Sequence, residues 1–176
     1  MKIILDIMTN MKKIIALVIA LILAEVANRT VAQSTIKIVD GDSLELNNRR
    51  IRLFGIDAPE YMQSCEDLKG KSYMCGQSAR AFLLDLIEKG HERGDKLKCS
   101  VEGIDQYKRS LSICKMGKVE LNLEMVKSGY AVSYKSDMYR DLEKRAKQSK
   151  KGIWQGKFMR PELYRALERT KEKEKN

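Results

Sequence analysis

The segment STIKIVDGDSLELNNRRIRLF, residues 34–54, holds three short runs of β-branched or alternating apolar residues at 34–39, 43–46 and 50–54. Asp40-Gly41-Asp42 and Asn47-Asn48 separate them, and both are turn formers. The pattern predicts a three-strand meander. Downstream, Ala79, Phe82, Leu83, Leu86 and Ile87 recur at helical spacing and predict an amphipathic helix that Gly90 terminates. Leu97, Cys99 and Val101 alternate in a fourth strand, and residues 111–116 form a fifth, joined by a polar connection at 102–109. The pattern leaves open whether Leu111 and Ile113 or Ser112 and Cys114 face inward. Leu121, Met125 and Val126 predict a second helix stopped by Gly129, and Tyr139, Leu142 and Ala146 a third. Strand-rich and helix-rich runs in this order fit an α+β fold: a small closed barrel with packed helices, for which an OB-type barrel is one candidate.

The whole chain has 176 residues, 34 Lys+Arg against 24 Asp+Glu, 4 Cys and a single His. The length suits one domain with or without a targeting segment. A hydrophobic fraction of 43% with 33% charged residues fits a globular protein rather than a disordered or polytopic membrane chain. The net charge of +10 favours a polyanionic partner. One histidine excludes His-rich metal sites and any chemistry needing two imidazoles, so carboxylates and arginines must carry a reaction.

Residues 1–32 read as a secretory signal. Lys12-Lys13 precedes eleven apolar residues from Ile14 to Ala24, and Thr30-Val31-Ala32 offers a small-residue cleavage site. Met11 offers a second start, and an uncleaved N-terminal membrane anchor is the alternative. The remaining chain carries 30 basic and 22 acidic side chains, a net +8, so the charge belongs to the domain itself. The expectation is an exported, periplasmic or secreted protein. In an oxidising compartment the four cysteines are expected to form two disulfides. Three pairings are possible, and proximity favours Cys65–Cys75 with Cys99–Cys114. Residues 33–160 are then the domain proper, and residues 161–176 a charged tail or short helix.

Chemistry-bearing residues concentrate in two blocks, Val39-Asp40-Gly41-Asp42-Ser43 and Ile51-Arg52-Leu53-Phe54-Gly55-Ile56-Asp57-Ala58-Pro59-Glu60. Asp42, Asp57 and Glu60 are hard oxygen donors of the kind Ca²⁺ accepts. Arg52, inside an apolar strand, calls for an anionic partner. Asp105-Gln106-Tyr107-Lys108-Arg109 adds a second guanidinium that could clamp a phosphate. Taken singly, each block is also ordinary turn chemistry.

At these residues the chain resembles the staphylococcal nuclease (thermonuclease) family, in an exported subgroup with extra cysteines. Its motifs appear as VDGDS (39–43), IRLFGIDAPE (51–60), DQYKR (105–109), LNLEMVKSGYA (121–131) and GIW (152–154). The resemblance implies a five-stranded OB-fold barrel with about three helices. It also implies a Ca²⁺-dependent phosphodiesterase acting on DNA and RNA, typically leaving a 3′-phosphate. Asp42 and Asp57 are the implied side-chain Ca²⁺ ligands, with the Ala58 carbonyl as a backbone ligand. Glu60 is the implied base for the attacking water, and Arg52 and Arg109 are the implied phosphate clamps. Asp40 is expected beside the ligands rather than among them. The resemblance also puts Cys99 and Cys114 in the barrel interior, and no stable protein partner is implied, which favours a monomer. Ser43 replaces the family's threonine and keeps a hydroxyl. Lys108 stands where the family has glycine, which bears on the aim of Arg109.

Other readings come from other residues. An OB-type module that binds nucleic acid without cleaving it is the alternative function, and a membrane-surface role for the basic run around residues 144–151 is a third. His91 is expected in an exposed loop. Tyr107 and Tyr130 could stack on bases or pack at the barrel rim, and Trp154 is expected to anchor the last helix to the barrel.

Overall fold

In the computed structural model the described residues are 11–20 and 35–175. The chain divides into two compact units, Met1–Ser34 and Thr35–Asn176. Of the first, residues 11–20 are helical and exposed; the rest of the expected signal lies outside the described residues. Among the described residues no helix is long and apolar enough to cross a membrane.

The second unit begins with the expected meander, β1 (Ile36–Ile38), β2 (Ser43–Leu46) and β3 (Arg49–Leu53). Asn47 and Asn48 take positive φ, 50° and 64°, as a tight hairpin turn requires. Short strands β4 (Ile56–Asp57), β5 (Cys65–Glu66) and β6 (Ser72–Tyr73) lead into helix α1 (Cys75–Glu92). Then follow β7 (Leu97–Ile104), β8 (Ser110–Met116), β9 (Val119–Glu120), α2 (Leu121–Lys127), β10 (Val132–Ser133), α3 (Arg140–Gln148), a 3₁₀ turn at Gly152–Gln155, and α4 (Pro161–Glu174).

The main sheet runs β1-β2-β3-β8-β7, antiparallel except for the β3–β8 pair, with β9 added to β8. This is the OB-type strand order, with the chain's fifth long strand inserted beside its third. Ser112, Cys114 and Met116 face inward, which settles the face of β8. Leu44, Leu53, Leu83, Met116 and Leu121 fill the core between the sheet, α1 and α2. Buried Asn122 ties these layers together: its side-chain amide donates to the Phe54 and Ser112 carbonyls, and its oxygen accepts from the Cys114 N–H. Disulfides join Cys65 to Cys75 and Cys99 to Cys114, the second between residues directly opposed in β7 and β8. Cys114 is fully buried, whereas Cys99 is half-buried at the edge of the core.

Two expectations need correction. Gly90 does not end α1, which continues two residues to Glu92, so His91 lies exposed in the last helical turn rather than in a loop. The glycine is there because Met116 packs on it: a Cβ would meet Met116 Cγ at 2.1 Å. The polar connection 102–109 is shorter than expected, since β7 extends to Ile104 through an irregularity between Val101 and Gly103. Residues 161–174 take the helical one of the two forms expected for this segment, with Pro161 at the start, where its missing N–H costs nothing.

Candidate functional site

The site is built where β1, β3 and β4 end together. The turn at 40–42 is closed by Val39 N–H donating to the Ser43 carbonyl at 2.9 Å and by Asp42 N–H donating to Asp40 Oδ1 at 3.1 Å. Gly41 lets this turn press on the neighbouring chain: a Cβ there would meet the Ala58 and Ala79 methyls at 2.7 and 2.8 Å. Asp42 is thereby buried, accepting from the Ser43 hydroxyl at 2.9 Å and from the Ala58 N–H at 2.9 Å.

Arg52 is the hub. Its guanidinium donates to Asp42 Oδ1 through one nitrogen and to Asp57 Oδ1 at 2.7 Å through the other. Asp57 is fully buried, held in register by the pairing of β4 with β10. Burial alone would raise the Asp42 carboxyl, but Arg52, the Ala58 N–H and the Ser43 hydroxyl outweigh it and hold the group below the usual range. Burial would likewise lower Arg52, and the two carboxylates more than reverse this, so it stays charged.

Glu60 leaves the same strand end. Its N–H donates to the side-chain oxygen of buried Gln63 at 3.2 Å, and the Gln63 amide nitrogen donates onward to the Met159 carbonyl at 2.7 Å. Its side chain is 35% exposed against 1% for Asp57, so of these two carboxylates Glu60 is the one that meets solvent. Beside them, Asp40 is pushed up to about 7 by burial and by the charges of Asp42 and Glu60.

A residue with no signal in the sequence completes the cluster. Arg165, on α4, donates to Asp57 Oδ1 at 2.8 Å, Asp57 Oδ2 at 2.9 Å and Glu60 Oε1 at 2.7 Å. Gln63 was equally invisible. Neither stands out from its neighbours in residue type or spacing; Arg165 is one cation in a charged run.

Arg109 is placed differently. The parallel register sets Arg52 opposite Leu111 and Ile51 opposite Ser110, so Arg109, just before β8, comes level with Arg50, two positions from Arg52. Its side chain nevertheless turns to Asp105, donating from Nε to Oδ2 at 2.7 Å, and lies over the Tyr107 ring at 5.5 Å. Among the described residues no hydrogen bond or ion pair joins it to Arg52, Asp42, Asp57 or Glu60. Lys108 takes φ 60°, the left-handed conformation a glycine adopts freely, so the turn keeps its shape despite the substitution. Of the aromatics, Tyr130 stacks on Phe82 at 4.5 Å, a packing role, while Tyr107 is largely exposed. Trp154 packs edge-on to Phe158 at 4.9 Å, beside the cluster containing the Cys65–Cys75 bridge.

The donor chemistry fits a hard dication. Asp40, Asp42, Asp57 and Glu60 supply oxygens only, and Arg52 and Arg165 leave them short of neutrality by up to two charges. Among the described residues, however, no group of three or more acidic, His or Cys side chains is arranged to hold a metal ion.

A barrel mouth carrying a buried Asp–Arg–Asp network, with one solvent-facing carboxylate beside it, gathers carboxylates and guanidiniums at one place on an OB-type fold. The chain belongs to the staphylococcal nuclease homologue family, whose model matches residues 50–156. It is 30% identical over 121 residues to the succinoglycan biosynthesis protein ExoI of Rhizobium meliloti, covering 66% of this chain and 61% of that protein. It is 32% identical over 128 residues to an uncharacterized endonuclease of Haemophilus influenzae, covering 68% and 64%. It is 33% identical over 120 residues to the probable endonuclease LCL3 of Candida tropicalis, covering 59% and 46%. The match thus spans about half to two thirds of the length of these relatives.

Proposed function

We propose that the domain is an exported, Ca²⁺-dependent nuclease that hydrolyses phosphodiester bonds of DNA and RNA by attack of water at phosphorus. The observation that carries this reading is the fixed guanidinium of Arg52 between Asp42 and Asp57, with solvent-facing Glu60 beside it. Family membership and the word endonuclease in two relatives' names support it. The two disulfides support an oxidising compartment.

Asp42, Asp57 and the Ala58 carbonyl are the candidate ligands. When bound there, Ca²⁺ supplies Lewis-acid polarisation of a phosphoryl oxygen. Glu60 accepts the proton of the attacking water as its oxygen bonds to phosphorus and the opposite P–O bond breaks. Arg52, already oriented, stabilises the charge that grows on the phosphoryl oxygens. Arg109 provides the second clamp by exchanging Asp105 for the substrate phosphate, a swap of one oxyanion for another. The net +8 outside residues 1–32 draws the polyanion to the surface.

The test is release of acid-soluble nucleotides from single-stranded DNA and from RNA by the oxidised protein, in Ca²⁺ and then in chelator. Cleavage that needs Ca²⁺ is expected. Nucleic-acid binding without cleavage in Ca²⁺ would overturn the reading in favour of a silent binding module.

A further inference from the structure

Helix α4 is a helix with almost no core of its own. Pro161 is its sole buried residue, while Leu163 and Leu167 are 58% and 40% exposed. The chain just before it is tied down. The Met159 carbonyl accepts from Gln63, and Arg160 donates to Glu143 at 3.2 Å and to the Ser133 carbonyl at 3.3 Å. Beyond Pro161, the contact that carries the helix onto the site is Arg165, through its three hydrogen bonds to Asp57 and Glu60.

That contact has a chemical meaning. Arg165 binds both oxygens of a candidate cation ligand and one oxygen of the candidate base, so it occupies their negative charge with a positive charge of its own. Those carboxylate oxygens cannot hold Arg165 and a divalent cation in the same geometry. The same guanidinium also takes one Glu60 oxygen that would otherwise face water.

We infer that α4 is an autoinhibitory strap: Arg165 competes with Ca²⁺ for Asp57 and covers Glu60, and cation binding releases the helix by pivoting it about Arg160–Pro161. This rests on the proposed cation site but not on catalysis. Little apolar surface is lost when the helix lifts, the half-buried guanidinium is rehydrated, and the incoming cation takes over as counter-charge for buried Asp57. Asp57 stays paired with Arg52 throughout, so the barrel does not depend on the strap. The closed form lowers apparent cation affinity in proportion to its population.

The experiment compares the full chain with Arg165→Ala and Arg165→Lys, using calorimetric Ca²⁺ titration and amide exchange of residues 161–174 with and without Ca²⁺. Arg165→Ala is expected to bind Ca²⁺ at least about five-fold more tightly, with Arg165→Lys between it and the wild type. Wild-type α4 amides are expected to exchange faster when Ca²⁺ is added, whereas those of Arg165→Ala are fast already. Equal Ca²⁺ affinities with unchanged exchange would overturn the strap. So would weaker Ca²⁺ binding by Arg165→Ala, or its loss of cleavage at saturating Ca²⁺, since either would make Arg165 part of the working site. Tighter binding by a protein that cleaves nothing would uphold the strap and fail the nuclease reading. Circular dichroism of each variant verifies that the fold is retained.

Discussion

Asp57 and Arg165, 108 positions apart in the chain, meet in a two-point ion pair, Nη1 to Oδ1 at 2.8 Å and Nη2 to Oδ2 at 2.9 Å. Asp57 also holds Arg52, so one fully buried carboxylate joins a barrel strand to a terminal helix. Bidentate geometry of this kind is what a guanidinium provides and an ammonium does not.

Arg52→Ala leaves Asp42 buried with no cation and Asp57 with Arg165 alone. The expected loss is about 3–5 kcal/mol of stability at neutral pH, because breaking a buried pair strands charge. Urea denaturation checks it. The wild-type Asp42 carboxyl is depressed in the folded state, so its contribution is present above the ordinary carboxylate value and disappears as pH falls through the lower folded one. The penalty in Arg52→Ala should therefore shrink in acid.

Asp40 has the opposite sign. Its folded value is raised to about 7 from 3.8, so the fold holds a proton there that the unfolded chain has released. Its favourable contribution is full below about 4 and is lost as pH rises to about 7. In chelator, Asp40→Asn should be more stable than the wild type at pH 8 by on the order of 1 kcal/mol or more, and the gain should vanish near pH 4. Denaturation at the two pH values measures this.

Lys108 sits at φ 60°, where a side chain is strained and glycine is not. Lys108→Gly should stabilise the domain by about 0.5–1 kcal/mol, seen as a higher melting temperature. Arg109 should keep its partner, because the turn is closed by backbone bonds between Asp105 and Arg109 and between Lys108 and Asp105.

The Cys99–Cys114 bridge closes a separation of 15 residues across β7 and β8. Replacing both cysteines with alanine should cost about 3 kcal/mol, mainly through a freer unfolded chain. Chemical denaturation under oxidising conditions reads the difference, and mass spectrometry counts the remaining bridge.

Much of this is legible in the amino-acid sequence. The meander, the inward Cys114 once bridged, and the convergence of Asp42, Asp57, Glu60 and Arg52 follow from turn residues, alternation and the motif resemblance. The misses share one cause: they depend on tertiary contacts that leave no period in the chain. Gly90 looks like a helix stop but is a packing contact with Met116. The Arg109–Asp105 pair is different: its partners stand four residues apart inside one motif, so it is local. Arg165 looks like one more charge on a polar helix, and only the folded chain brings it to Asp57.

The central claim is that Glu60 acts on water beside a cation-binding carboxylate pair. Its most direct test is single-turnover cleavage of single-stranded DNA in Ca²⁺ by the wild type and Glu60→Gln, with binding measured in parallel. The account predicts a rate lower by at least about a hundredfold with DNA affinity nearly unchanged, since the loss falls on the transition state. A Glu60→Gln protein that cleaves at the wild-type rate, or that loses binding as much as rate, would contradict it.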